Sequence, residues 1–508
     1  MSLVLKTIKA DEFAILDITQ ECFSVFVPNT NIRGIAAFNP SITNIDGSLN
    51  EYLISFRVNG DNGTDGVITS TFDKRHPWNT SWKNNTDGTA FMKVVIKDKH
   101  ITAHEIIPVG QESNKWMAGV DARLYMYNSS YYLTYNLFTN KSTKPEEVSN
   151  VGHASICKYD YCANMVLCIF TLADKTLSLI KRSLICKPEQ KQIEKNWTFF
   201  TNREDKLFIS YGLSGTHTIF NDPINAPEVT FTSCSAKYTN SSFTTMFSYL
   251  ENNTMFTDEN GNKNKVIHFS LSTPAVRYDG NSNIAVGHVK LNFTYILNAL
   301  YALESAKNTS TYALRKKLYL IITAFDRYII KNAKFHTKHM MYMYFMFFYK
   351  FDFDGKITDV SNFIVPYADE PYSLVFPTGL TKYDPDTFIV SYGVADVLCK
   401  LAFFPKALVE SLLHKKTDPL DPLDWLKLLI IKAGDAKMVD EMVDEMVDDH
   451  MEIDEYEGDN MDTSGGKHKQ HKQHKQHKQP KNKVQSNDKS KSKKTEKPNG
   501  KTQSKQSK

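Results

Sequence analysis

Residues 120–135 read VDARLYMYNSSYYLTY, and the fold class is decided there. Two short apolar-aromatic runs, Leu124–Tyr127 and Tyr131–Tyr135, flank the polar turn Asn128-Ser129-Ser130. Short runs rich in Tyr, Leu and Thr between turn residues are strand signals, and no 3.6-residue period competes with them. The same pattern recurs in Tyr52–Val58 (YLISFRV), Leu207–Tyr211 (LFISY), Tyr344–Phe353 (YFMFFYKFDF) and Thr387–Tyr392 (TFIVSY). From about residue 30 to 410 the chain is therefore predicted to be mainly β.

Each strong run follows a motif with a polar or small residue in an apolar setting. The five are Phe38-Asn39-Pro40, Val120-Asp121-Ala122-Arg123, Lys195-Asn196-Trp197, Gly287-His288-Val289-Lys290 and Phe376-Pro377-Thr378-Gly379. From Asn39 through Asp121, Asn196 and His288 to Pro377 the steps are 82, 75, 92 and 89 residues. Five quasi-repeats of one unit predict a five-bladed β-propeller, with the first strand of each blade along the axis. Helical spacing in Tyr295–Ala306 and Tyr312–Ile330 predicts a helical insertion, about 295–335, in the fourth unit. It is either a lid or interface, or simply a decorated loop. Ala407–Leu413 reads as a last short helix, so the propeller is expected to occupy 1–415.

Beyond it, 416–434 reads as a short linker and helix, broken at Pro419 and Pro422 before the apolar Leu423–Ile431. Segment 435–462 is acidic low complexity, with 13 carboxylates against one lysine. It contains MVDE-MVDE-MVDD, whose methionines share one face if helical. The final 463–508 is a Lys/His/Gln-rich tail with 15 lysines against Asp488 and Glu496, too polar to fold and expected to be disordered. These opposite charges hide inside a formal net charge of +4 and leave a nearly neutral body, which gives no electrostatic case for nucleic-acid binding there. The tail alone suits nonspecific attachment to nucleic acid or an anionic surface; it reads equally as a solubilising or targeting tail.

The seven cysteines are odd in number and lack C-x-x-C spacing, which speaks against a disulfide framework or zinc site and for a reducing compartment. Met1–Lys9, broken by Lys6 and Lys9, does not read as a signal peptide, and no apolar run is long enough to span a bilayer. The expected location is cytoplasmic. Sequons such as Asn62, Asn79, Asn128 and Asn308 are what an Asn-rich composition generates by chance.

Asp121 is the sharpest chemical candidate. A carboxylate on an inner strand can protonate a leaving glycosidic oxygen if burial raises its pKa; an Asp–Arg pair that only ties two blades together is the alternative. Lys195, Asn196 and Trp197 offer a cation, an amide and an aromatic plate for a sugar, although a strand tryptophan is more often core. Arg57, His217, His288 and Lys290 add basic groups which, if they converge, suit phosphate or a nucleotide diphosphate. Tyr392 and Asp396 close the last strong strand, Asp396 as a sugar ligand, a second carboxylate or a turn residue. No phosphate-loop, dinucleotide or H-E-x-x-H motif is present, and Asp352-Phe353-Asp354 leads into Gly355 as a turn.

In this order the motifs resemble those of the five-bladed propellers of glycoside hydrolase family 130 and their relatives, the β-mannoside phosphorylases and β-mannosyltransferases. Asn39-Pro40-Ser41-Ile42 with the strand ending in Arg57 resembles the family's opening unit. Val120-Asp121-Ala122-Arg123 resembles the Glu-Asp-Pro-Arg signature, whose Asp is the general acid in phosphorylases, with Val120 and Ala122 in place of its Glu and Pro. Tyr131–Tyr135 matches the aromatic strand after it. Glu194–Trp197, followed by Tyr211 and His217, and Gly287–Lys290 look more like a transferase-like branch. Phe376–Gly379 with Ser391-Tyr392-Gly393 and Asp396 resembles the closing blade. The resemblance implies glycosyl, specifically mannosyl, transfer, phosphorolysis or hydrolysis. Asp121 would be the acid; Arg123 and Lys195 would orient phosphate or hydroxyls, Trp197 would stack the sugar, and Asn39, His288 and Asp396 would complete the pocket. No bound cofactor or metal is expected, inorganic phosphate or a sugar nucleotide serving as co-substrate. The alternative is a non-catalytic glycan- or protein-binding propeller tethered by its tails. The long lysine tail and Asn/Lys/Ile/Tyr bias also resemble proteins of large AT-rich DNA viruses, which would place the protein in host cytoplasm or a virion.

Overall fold

The computed structural model describes residues 13–25, 36–61 (except 47 and 49), 85–110, 116–139, 162–185 (except 174), 195–221, 236–257, 261–292 (except 262), 343–364, 375–394 and 398–415, with Tyr312, Arg315, Lys316, Tyr319 and Leu320 between. The sequons Asn62, Asn79 and Asn308, Asp396, most of the expected insertion and everything after 415 lie outside them. The chain divides into two units, Met1–Glu452 and Ile453–Lys508, and all described residues belong to the first.

That unit is a five-bladed β-propeller of antiparallel sheets. From the axis outward, blade 1 holds Ala36–Asn44, Glu51–Asp61, Asn85–Lys97 and His100–Ile107. Blade 2 holds Val120–Tyr127, Ser130–Thr139, Cys162–Ala173 and Thr176–Ile185, and blade 3 Thr198–Thr201, Leu207–Gly212, His217–Asn221 and Ala236–Thr239. In blade 4 the inner strand is split into Ile267–Leu271 and Val276–Arg277, both paired with Ser282–Leu291, followed by Met343–Asp352, Ile357–Ser361 and Leu413–Lys415. Blade 5 holds Val375–Asp384, Thr387–Val394, Leu398–Pro405 and, as its outer strand, Ala14–Asp17. The N-terminal segment thus closes the ring by pairing Ala14 with Phe403 and Asp17 with Lys400. A four-residue strand with one polar end carries too little pattern to be found in the sequence alone.

Stacked blades bury both faces of their central strands, which is why the runs are continuously apolar rather than alternating. On Ser130–Thr139, Leu133 and Tyr135 pack into the seam with blade 1 beside Leu53 and Phe91, while Tyr132 packs towards blade 3 with Phe199 and Ile209. The seam between blades 5 and 1 brings Ile389, Leu401 and Phe403 against Ile42, Ile54 and Phe56. Helix Ser242–Asn253, between blades 3 and 4, starts with a capping box in which Ser241 and Thr244 bond reciprocally. Arg315, a helical residue of the insertion, donates to Asn253 O and Met255 O and so docks on the end of this helix. The last helix is Lys406–Leu412, one residue from its expected bounds.

The fourth motif is not where the spacing put it. Gly287-His288-Val289-Lys290 lies on the second strand of blade 4, and the inner-strand position belongs to Ser272-Thr273-Pro274. With Ser272 in place of His288 the first three steps become 82, 75 and 76 residues, and the insertion accounts for the longer last step.

Candidate functional site on the propeller axis

Asn39, Asp121 and Asn196 occupy the same point of the first three blades, and each has left-handed backbone, with φ of 52°, 54° and 63°. In blades 1 and 2 this residue sits in a bulge, where the register slips between Phe38 and Ser41 and between Val120 and Arg123. Asn and Asp are the non-glycine residues that best tolerate this conformation. A bulge re-aims its side chain, which is how a buried strand presents a polar group at the axis.

Asn39 Nδ2 donates to Asp121 Oδ1 at 2.9 Å, and Arg57 Nη1 lies 3.3 Å from the same oxygen. The Asp121 side chain is 13% exposed and that of Arg57 12%. Burial pushes the Asp121 carboxyl up, but the charges of Arg57, Lys195 and Arg123 and the Asn39 hydrogen bond outweigh it, and the pKa lies below the ordinary carboxylate value. The raised carboxyl expected of a resting general acid is therefore not what this site provides: in the free protein Asp121 is an anion at neutral pH.

Arg123 is 1% exposed, and its guanidinium is engaged by oxygens of the protein itself. Its Nη1 donates to Asp121 O at 2.7 Å and to Ala122 O, its Nη2 to Asn196 Oδ1 at 3.2 Å, and its Nε to Ser272 O. Its guanidinium also lies over the Phe376 ring, 5.1 Å from the centroid. One side chain from blade 2 thereby ties motif residues of blades 2, 3, 4 and 5, a structural role in place of the expected phosphate contact. Burial lowers its pKa to about 10, still protonated at neutral pH.

Other groups divide into those near the axis and those in the core. Lys195 is exposed and within electrostatic reach of both Asp121 and Lys290. Lys290 Nζ lies over Tyr344, 6.0 Å from the ring centroid, and burial followed by Lys195 brings its pKa to about 8. His288 is 3% exposed; its Nδ1 meets Ser272 Oγ, its ring faces Phe376 and Tyr344, and burial holds its pKa far below the usual histidine value.

Trp197 is fully buried against Tyr211 and Phe220, so its indole is a core plate and not one for a sugar. His217 is also fully buried, with Nδ1 2.7 Å from Gly355 O and Nε2 3.0 Å from Ser210 Oγ, in the seam between blades 3 and 4. Tyr392 is buried in the seams around blade 5. The neighbouring Gly393 has a function that its sequence context did not reveal: a Cβ there would collide with Asn39 Oδ1 and Asn39 N. The glycine makes room for the residue that holds Asp121. Ser272, an anchor for both Arg123 and His288, was likewise missed because a serine between strands carries no signal.

Short polar side chains also tie together the inner strands of blades 1, 2 and 5. Ser41 Oγ donates to Thr378 O at 2.9 Å and accepts from Leu124 N at 2.9 Å, and Thr378 Oγ1 donates to Pro40 O. Among the described residues no group of three or more His, Cys, Asp or Glu could hold a metal ion, and no helix is long and apolar enough to cross a membrane.

No protein-family model and no curated protein sequence matches the chain. Among solved structures it is similar to a mannose phosphorylase from Leishmania mexicana in complex with phosphate, at 8% identity and TM-score 0.40, over 79% of this chain and 97% of that one. It is similar also to a β-1,2-mannobiose phosphorylase from Listeria innocua in complex with β-1,2-mannobiose, at 11% identity and TM-score 0.41, over 77% and 95%. A GDP-mannose-dependent mannosyltransferase from Leishmania mexicana is similar at 10% identity and TM-score 0.37, over 76% and 93%.

Proposed function

We propose that the axial mouth is a glycosyl-transfer site, mannosyl by its motif resemblance, in which a phosphate-bearing group is one of the two reactants. One observation carries this reading: the Asp121 carboxylate is met by cations from separate blades, Arg57 directly and Lys195 electrostatically, with Lys290 beyond. Hydrolysis uses two carboxylates, one for the leaving oxygen and one for water or for the sugar itself. A carboxylate ringed by cations suits inorganic phosphate or a nucleotide diphosphate better, because an oxyanion offsets the excess positive charge.

The electrostatics then supply the proton logic. An incoming phosphate dianion pairs with Arg57, Lys195 and Lys290 and cancels the field that keeps Asp121 ionised, so its carboxyl rises towards the value a general acid needs. Both hydrogen bonds to Asp121 described above end on Oδ1, which leaves Oδ2 to carry the proton. In phosphorolysis a phosphate oxygen attacks the anomeric carbon, the glycosidic C–O bond breaks, and the leaving oxygen takes that proton. With a sugar nucleotide the phosphate leaves instead, and Asp121 as carboxylate accepts the proton of the acceptor hydroxyl.

A non-catalytic glycan-binding propeller is the second reading, favoured by the direct Arg57–Asp121 ion pair, which resembles a structural bridge. The test incubates the full chain with manno-oligosaccharides plus phosphate and, separately, with GDP-mannose plus oligosaccharide acceptors. Sugar phosphate in the first or extended oligosaccharide in the second supports the proposal and identifies the co-substrate. Oligosaccharide binding without any product in either supports the second reading.

A further inference from the structure

The N-terminal strap and the last blade meet at two thiols. Ala14–Asp17 pairs with Leu398–Pro405, and the contact continues past the strand: Ile18 N donates to Cys399 O at 3.0 Å, and Cys399 N donates to Thr19 Oγ1 at 3.0 Å. Helix Thr19–Phe23 then turns the chain back, with Cys22 N bonded to Ile18 O at 3.0 Å, so that Cys22 returns over the strand position of Cys399. Both cysteines are free, fully buried and members of one apolar cluster in the seam between blades 5 and 1.

We infer that Cys22 and Cys399 form a redox-modifiable pair, whose disulfide staples the N-terminal strap to the last blade and locks the ring. The pair joins residues 377 positions apart in sequence. Closing so large a loop removes much freedom from the unfolded chain, so the cross-link acts on the stability of the whole propeller. It does not depend on the glycosyl-transfer reading.

The chemistry is thiol–disulfide exchange with a low-molecular-weight disulfide. One protein thiolate attacks the reagent, forms a mixed disulfide and releases one small thiol. The second protein sulfur then displaces the other small thiol. Two protein S–H bonds and one reagent S–S bond become one protein S–S bond and two small thiols. Burial, with Cys22 beside it, pushes the Cys399 thiol far above its ordinary value, so exchange in the closed state is slow. The pair is reached during folding or when the short strap opens, since a four-residue outer strand followed by a five-residue helix is a small local unit.

The test refolds the full chain in a mixture of oxidised and reduced glutathione, treats native protein in parallel, and maps alkylated, unreduced digests by mass spectrometry. The expected result after refolding is a peptide linking Cys22 to Cys399 and a melting midpoint raised by roughly 3–5 °C, reversed by dithiothreitol. Cys22→Ser and Cys399→Ser should each lose both effects. Cys168→Ser, at a buried free thiol in a different seam, should keep them. Recovery of Cys22 and Cys399 only as separate alkylated or glutathionylated peptides would overturn the inference, and so would a cross-linked protein whose midpoint is not raised.

Discussion

The amide of Asn39 is hydrogen-bonded to the carboxylate of Asp121 at 2.9 Å, and the two residues are counterparts, one blade apart, with the same left-handed backbone. The repeat has thus placed an amide and a carboxylate on the same structural position and turned them towards each other. Asn39→Ala removes a hydrogen bond to a charged acceptor, an interaction of about 1.5–3 kcal/mol. Turnover in the proposed reaction should fall roughly tenfold to a hundredfold. The carboxyl titration, followed by ¹³C NMR, should move up. Asn39→Asp should move it further, since a second carboxylate would stand against the first.

Arg123 should matter for stability before it matters for chemistry. Its guanidinium serves Asp121 O, Ala122 O, Asn196 Oδ1 and Ser272 O at 1% exposure. Arg123→Met leaves those acceptors without their donor and should cost about 3–5 kcal/mol in denaturant unfolding. Arg123→Lys keeps the charge but not the planar fork, and should recover only part of the loss.

The histidines buried as neutral rings set an acid limit. Burial lowers His217 from 6.5 to about 4, although its bond to Gly355 O pulls the other way. The unfolded chain therefore binds a proton that the folded chain refuses between those values, so stability falls as pH drops through 6.5 towards 4. From pH 7 to pH 5 this group alone should remove about 2 kcal/mol. His288, lowered in the same direction, adds to the loss. Urea unfolding of His217→Gln should show a shallower loss than the parent chain across that interval.

Gly393 links the closing blade to the site without touching it. Its missing Cβ is the space that Asn39 fills, so Gly393→Ala should push Asn39 off Asp121. The account expects the activity loss of Asn39→Ala to be reproduced, and the double variant to lose no more than the worse single one. Additive losses would show that Gly393 acts elsewhere.

Strand content and blade number were legible because blades buried on both faces demand unbroken runs such as LYMY and YYLTY, and each run followed a short polar motif. Asn39, Asp121 and Asn196 were legible as polar residues at the head of the apolar runs, and each is accommodated locally by left-handed backbone, with a bulge in blades 1 and 2. The fourth inner strand was not legible, because Ser272-Thr273-Pro274 has no aromatic run and His288 beside it was more conspicuous. Residue type also misled over which way side chains face. Trp197 and His217 have sugar-binding chemistry, but the packing of blade on blade buries both completely. Arg123 was found by its motif, yet nothing in the sequence tells that its donors are spent on oxygens of its own blade and of blades 3 and 4. The N-terminal strand of blade 5 was invisible because its partner lies nearly four hundred residues away.

The central claim is that Asp121 moves the proton in a glycosyl transfer at the axis. It is tested most directly by comparing Asp121→Asn with the parent chain in whichever assay gives product, with oligosaccharide binding measured by calorimetry on the same samples. The account predicts a loss of turnover of about a thousandfold or more while the sugar still binds. Turnover unchanged by the substitution would contradict it, and the proton would then have to come from another group.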